Sequence, residues 1–270
     1  MENYICTTCG TQFKATKTEP NSCPICKDER QYINPAGQQW TTLSDIQQHY
    51  KAVFKQKEAY LYGIGMTPKF GIGQRALLIQ TATGNILWDC IGLLDNTLVD
   101  LINGLGGLDA IAISHPHYYT AMVEWSRAFG NIPIYLHKND QEWVMRASED
   151  IHFWDKPSLK LSNEVTLINL GGHFEGGTVL HWSAGADGRG ALLTSDILQV
   201  VADRKNISFM YSYPNLIPLP AQKVAQMNRQ VQKLNFDRIY GAWWDRSTIK
   251  SNAKQAVDYS AKRYIESVSS

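Results

Sequence analysis

The sequence predicts an α/β protein with two sheets covered by helices, preceded by a small segment that a metal ion staples. Antiparallel β signals dominate the early part of the main region, and strand–helix alternation follows. Histidines and an aspartate stand directly after apolar strands, and four of the five cysteines form two CxxC pairs within the first 26 residues. With 270 residues, 44% of them hydrophobic and 19% charged, the chain can build one large core plus an appendage, and disorder is excluded. Lysine and arginine total 26 against 25 acidic residues. That balance gives no reason to expect a nucleic-acid or membrane-surface partner, so a small-molecule substrate is expected instead. No apolar run approaches the roughly 20 residues that span a bilayer. The opening MENYICTTCG lacks the basic and apolar stretches of a secretory signal. An odd number of cysteines, mostly in CxxC pairs, reads as metal ligation in a reducing compartment, and a cytoplasmic location is expected.

Cys6-x-x-Cys9 and Cys23-x-x-Cys26 are separated by residues 10 to 22. Each pair can sit on a tight turn that aims two sulfurs at one ion, and two turns complete a tetrahedron. Residues 1–38 are too few to bury a core unaided, so metal binding is expected to supply much of their folding free energy. The knuckles resemble a zinc ribbon and also short rubredoxin-type knuckles. Tetrahedral sulfur sites suit zinc or iron; zinc is the favoured ion for this structural tetracysteine site. Lys14, Lys17, Lys27 and Arg30 balance Glu2, Glu19, Asp28 and Glu29 in this segment. A ribbon that grips nucleic acid needs a basic excess. Its candidate roles are therefore support of the main domain, a contact in a homo-oligomer, or a lid. The expected domains are residues 1–38 and residues 39–270.

In the main domain, Arg75–Gln80 and Asn85–Asp89 flank a Thr83-Gly84-Asn85 turn signal and predict a hairpin. Leu93–Leu101 predicts a helix, closed by the glycines of residues 104–107. Strands are expected at Asp109–Ile113, Ile132–Leu136, Val165–Leu170, Thr178–Ser183, Ala191–Thr194 and Arg238–Tyr240. Helices are expected at Tyr119–Phe129, Asn139–Arg146, Ala221–Leu234 and Ser251–Val268. Ile151–Pro157 reads as a loop.

The chemistry sits at the strand ends. Ile113 runs into Ser114-His115-Pro116-His117, and histidines two apart in an extended segment place both rings on one side. Gly171-Gly172-His173 follows another strand, where the glycines permit an unusual turn. Asp196 follows a third. Singly, each has a plainer role: a histidine that packs and hydrogen-bonds, or an aspartate that caps a turn. Jointly, three histidines and an aspartate make a first shell for zinc or a similar divalent ion.

This joint pattern resembles the metallo-β-lactamase fold superfamily over roughly residues 40–270. The resemblance implies an αββα sandwich with a metal site at one edge. Ile86–Cys90 resembles the superfamily strand that ends in a structural aspartate, here Asp89. His115-Pro116-His117 matches the first half of HxHxDH, Gly172-His173 the downstream histidine, and Ser195-Asp196 the bridging aspartate. The whole chain is similar to a subfamily that joins a CxxCG…CPxCxDERQY ribbon and a GQxWTTL segment to this domain. Those read here as Cys6–Gly10, Cys23–Tyr32 and Gly37–Leu43.

Three departures fall on one site. Tyr119 stands at the second-metal aspartate, Thr120 at its histidine, and Trp243-Trp244 where the resemblance implies a terminal histidine. One ion on His115, His117 and His173, with Asp196 alongside, is therefore expected. The chain has seven histidines; of the other four, only His152, in its expected loop, has the freedom to approach. An ion with an open position lowers the pKa of bound water to about 7 and supplies hydroxide. Hydrolysis of an ester, thioester or lactone is the leading expectation, with Asp196 as fourth ligand or general base. Tyr119 is the candidate donor to a developing oxyanion or leaving group, against plain packing beside Tyr118. An iron-dependent redox or oxygen-handling enzyme and a non-catalytic metal-binding scaffold are the rival classes. Tyr211, Tyr213 and Trp243 are candidate walls of a substrate pocket.

Overall fold

A computed structural model describes residues 1–244 and 247–269. The chain divides into two compact units, Met1–Trp154 and Asp155–Ser270.

The first unit holds a seven-stranded sheet whose strands follow in chain order. These are β1 (Lys51–Glu58), β2 (Leu61–Thr67), β3 (Ala76–Thr81), β4 (Gly84–Trp88), β5 (Ala110–Ala112), β6 (Ile134–His137) and β7 (Ile151–Trp154). β1 to β4 form an antiparallel meander; β4 to β7 pair in parallel. The change of sense follows from the connections. A two-residue turn joins β3 to β4, whereas parallel neighbours need a crossover, here the helices α2 (Asn96–Gly104) and α3 (Met122–Ala128). Asp95 caps α2 by accepting from the Leu98 amide, so the helix begins three residues after the expected Leu93. Leu98, Ile102, Met122, Val123 and Trp125 are buried positions of α2 and α3, at the spacing of one helical face. The short α1 (Leu43–His49) starts on a capping box between Thr42 and Asp45.

Residues 1–38 fall within this unit. Their strand pairing is slight, Ile5–Cys6 with Trp40–Thr41, so the cysteine cluster takes the place of a core. Phe13 and Ile25 pack with Cys6, Cys9 and Cys23, and Trp40, Trp143 and Met145 close over them.

The second unit holds a six-stranded sheet. Its strands are β8 (Ser158–Lys160), β9 (Val165–Asn169), β10 (Thr178–Trp182), β11 (Ala191–Ser195), β12 (Arg238–Gly241) and β13 (Thr248–Ile249), in that order. β11 and β12 pair in parallel, and α4 (Ala221–Val231) lies in the connection between them. Ile168, Val179, Leu192 and Ile239 share one sheet face and pack with Val224, Met227 and Val231 of α4 and Val257 and Ala261 of α5 (Ala253–Ser269). Leu167, Leu180 and Leu193 are buried on the opposite face. Both faces being apolar explains why these strands read as near-continuous hydrophobic runs.

Two expectations need correction. Ile151–Trp154 is not a loop but the edge strand β7, which places His152 in an exposed position beside Tyr135. Residues Lys138–Trp143 form 3-10 turns broken at Asp140, not an α-helix from Asn139 to Arg146. No helix among the described residues is long and apolar enough to cross a membrane.

Candidate functional site

The four paired cysteines come together. The sulfurs of Cys6 and Cys26 are 3.4 Å apart, and those of Cys9 and Cys23 are 3.6 Å apart. A disulfide needs about 2.05 Å. Sulfurs about 2.3 Å from a common tetrahedral ion stand roughly 3.8 Å apart, so the cluster has the dimensions of a metal site. The amides of Gly10 and Lys27 donate back to the carbonyls of Cys6 and Cys23, closing the two knuckles. Gln38 donates to the Cys6 sulfur through its side-chain nitrogen and accepts from the Cys23 amide. Hydrogen bonds from Cys23, Cys26 and Cys9 hold the Cys6 thiol far below the usual range. Burial pushes Cys9 up, and the sulfur of Cys23 pushes Cys26 up. The pocket therefore favours a thiolate at Cys6 and opposes one at Cys9 and Cys26, a conflict that a divalent cation would remove.

The HxH segment leaves β5 through Ile113 and Ser114. His115 is extended, and Pro116–Tyr118 turns as one 3-10 step. Proline suits that first turn position because it brings a fixed φ and needs no amide partner. Both rings are buried, with centroids 5.0 Å apart. The Ser114 hydroxyl lies 2.9 Å from Nδ1 of His115, and the Ser114 amide donates to a carboxylate oxygen of Asp89 at 2.9 Å. Asp89, left-handed at φ 63°, thus fixes the end of β5 next to His115.

In the second unit, Gly171 and Gly172 follow β9 with φ of 64° and 93°. At φ 93° any side chain at position 172 would be strained, and its Cβ would also crowd a terminal methyl of Leu219 at 2.9 Å. The turn delivers His173, whose Nδ1 lies 2.7 Å from the Tyr211 carbonyl. A carbonyl only accepts, so Nδ1 carries the proton and Nε2 is the ring atom with a lone pair to offer. Asp196 follows β11 after a bulge between Leu193 and Ser195, and the Tyr213 hydroxyl donates to its main-chain carbonyl at 2.6 Å. Tyr211 and Tyr213 thus hold the ring of His173 and the backbone of Asp196.

Two groups of His, Cys, Asp and Glu of this kind occur among the described residues. They are Cys6, Cys9, Cys23 and Cys26, and His115, His117, His173 and Asp196; within each, one ligand atom per residue lies within 4.8 Å of the others. Three imidazoles and a carboxylate suit zinc and neighbouring transition metals; four thiolates suit zinc or iron. The remaining histidines go elsewhere. His49 is exposed against the Asp45 carbonyl, His137 packs edge-on to Trp154, and His181 bonds the Asn235 carbonyl. Tyr119 is buried, and its hydroxyl donates to the Asp140 carbonyl at 3.3 Å. Burial and the Asp140 carboxylate push its phenol well above the usual range.

Sequence reasoning missed Gln74, whose side-chain nitrogen reaches the carbonyls of both Cys9 and His117. No motif marks it, because its partners lie 65 and 43 residues away in sequence.

A sheet order of this kind, with histidines on the loop after a central parallel strand, is that of the metallo-β-lactamase fold. The DIM-1 metallo-β-lactamase superposes with a TM-score of 0.60 at 12% identity, over 81% of this chain and 98% of that one. FIM-1 from Pseudomonas aeruginosa, in a mono-zinc form, gives 0.56 at 11% identity over 81% and 96%. TTHA1623 in a di-iron-bound form gives 0.51 at 18% identity over 70% and 96%. No family model matches the chain. By sequence it is 52% identical, over 100% of its length and 98% of the relative's, to the uncharacterized protein YmaE of Bacillus subtilis (strain 168). The chain belongs to the same family as YmaE, and its own structure is a metallo-β-lactamase fold preceded by a tetracysteine segment.

Proposed function

We propose that the protein is a metal-dependent hydrolase with one ion on His115, His117 and His173 and with Asp196 alongside, acting on an ester, thioester or lactone of a small molecule. The observation that carries this reading is the grouping of those four ligand atoms within 4.8 Å. Bound there, a zinc-like ion supplies Lewis acidity and activates water at neutral pH. The chain's own residues supply the rest. Asp196 orients the attacking water and takes its proton. The carbonyl of Tyr211 keeps His173 in one tautomer, and Ser114 holds His115. Tyr119 has a supporting part, because its hydroxyl is engaged by Asp140. Tyr119→Phe should therefore leave turnover unchanged and cost about 1 kcal/mol of stability, the net worth of one hydrogen bond. A turnover loss of tenfold or more would return Tyr119 to the reaction.

A single ion is expected because neither Tyr119 nor Trp243 is a ready zinc ligand, and His152 is exposed on β7. Anomalous diffraction at the zinc edge should show one peak at the histidines and one at the cysteines. A second full peak about 3.5–4 Å from the histidine-bound one, the spacing of two-metal sites, would overturn the mononuclear reading. Metal analysis with an absorption spectrum separates zinc from iron, the ion reported for TTHA1623.

A further inference from the structure

We infer that Gln74 is a positioning residue that couples the two centres, so that an ion in the cysteine cluster raises the affinity of the histidine site for its own ion. The inference rests on the reading above, that His115, His117 and His173 hold a metal.

Gln74 lies just before β3 and is buried, at 5% exposure. Its side-chain nitrogen is 2.6 Å from the Cys9 carbonyl and 3.2 Å from the His117 carbonyl. Both neighbours are pure acceptors, and a carboxamide nitrogen has two protons, one for each. One NH2 group therefore ties the peptide of a thiolate ligand to the peptide of an imidazole ligand. Parallel ties grip the same loop. The Gln12 amide donates to the Thr120 carbonyl at 3.0 Å. Arg146 bonds the side chains of Gln12 and Glu124, joining the ribbon to α3. Gly10 sits so close to Thr120 that a Cβ there would stand 3.3 Å from its methyl group. Gln74 differs from these in touching a ligand residue of each centre.

The Gly10 amide, bonded to the Cys6 carbonyl at 2.8 Å, closes the ribbon knuckle, and an ion on the four sulfurs would hold it further. Remove the ion and four thiols, no longer tied to a common centre, relax apart. Cys9 shifts, and the Gln74 clamp loses its fixed end. Metal affinity depends on ligand placement to about 0.5 Å, and loss of such an outer contact lowers it about 10–100-fold. Coupling of this kind is reciprocal: occupancy of the histidine site must strengthen the ribbon by the same factor.

Cobalt titration of the full chain tests this, because the centres report separately. Cobalt on thiolates gives intense near-ultraviolet charge-transfer bands, whereas cobalt on imidazole and carboxylate gives only weak visible bands. Gln74→Met keeps the length of the side chain and removes the donor. It should bind cobalt at the ribbon with unchanged charge-transfer bands, while the second ion binds about tenfold more weakly and its visible bands shift. Cys26→Ser, which weakens the ribbon, should weaken the second ion in the wild-type background and add nothing in the Gln74→Met background. Wild-type affinity and bands for the second ion in Gln74→Met overturn the proposal. Should Gln74→Met not fold, an unchanged second-site affinity in Cys26→Ser alone does the same. A wild-type chain that binds cobalt only at the thiolates would sink the proposed function instead, and that outcome is distinct from both.

Discussion

A full-length chain carrying Cys9→Ser is expected to bind one metal ion fewer and to lose more than about 3 kcal/mol of stability, of which structural zinc can supply several times as much. Cys9 is fully buried, and the cluster it belongs to stands where the ribbon would otherwise need a core. Besides the cysteines, that cluster buries the apolar side chains of Phe13 and Ile25, far too little area to offset the entropy of ordering some 38 residues. The damage should also spread. The Lys14 amide donates to the Met145 carbonyl, the Gln12 amide to that of Thr120, and Trp143 packs over the cluster. A ribbon hanging free of the main domain would unfold alone in this variant, whereas these contacts predict loosening of the loop after β5 and of residues 143–146 as well. Metal analysis, calorimetry and limited proteolysis read all three effects. Full metal content with wild-type resistance of the N-terminus would show that the sulfurs hold no structural ion.

What the sequence disclosed and what it withheld divide along the range of the interactions involved. The β3–β4 hairpin was legible because its turn chemistry is local, with Gly84 at φ 134° between two apolar runs. His115, His117, His173 and Asp196 could be singled out as candidates because each follows an apolar strand and keeps a motif residue beside it. β1 was not read: KAVFKQKE is largely polar, and it is a strand because seven of its residues pair with β2 and its position is at a sheet edge. β7 carries His152 and Phe153 exposed and gains its strand form from pairing with β6. The 3-10 turns at Lys138–Trp143 defeated a helical pattern because His137, packed on Trp154, sets the entry and Asp140 leaves helical φ/ψ. Gln74 sat outside any local signal, since only the fold brings Cys9 and His117 to its two protons.

Asp196→Asn and His117→Ala are expected to separate catalysis from metal holding. His117 is buried and supplies a ring nitrogen to the group of four. Alanine removes that ligand outright and leaves a cavity, so the affinity of the site should fall by more than the 10–100-fold typical of an outer-shell change. Asparagine at 196 is nearly isosteric. Its placement should survive, because Tyr213 bonds the main-chain carbonyl of residue 196 and not the carboxylate. Three imidazoles remain, with His173 still locked by the Tyr211 carbonyl. The ion should therefore stay, while the proton acceptor is lost: a carboxamide is not basic, and positioned general bases contribute about 10²–10⁴-fold to rate. Metal content after dialysis, set against turnover on the best ester, thioester or lactone of a panel, reads both quantities in the same samples. If the two variants lose metal to a similar degree, Asp196 is a full ligand and the base must be sought elsewhere. Asp196→Asn retaining both metal and turnover would instead leave the carboxylate a structural part, fixed by the bulge that ends β11.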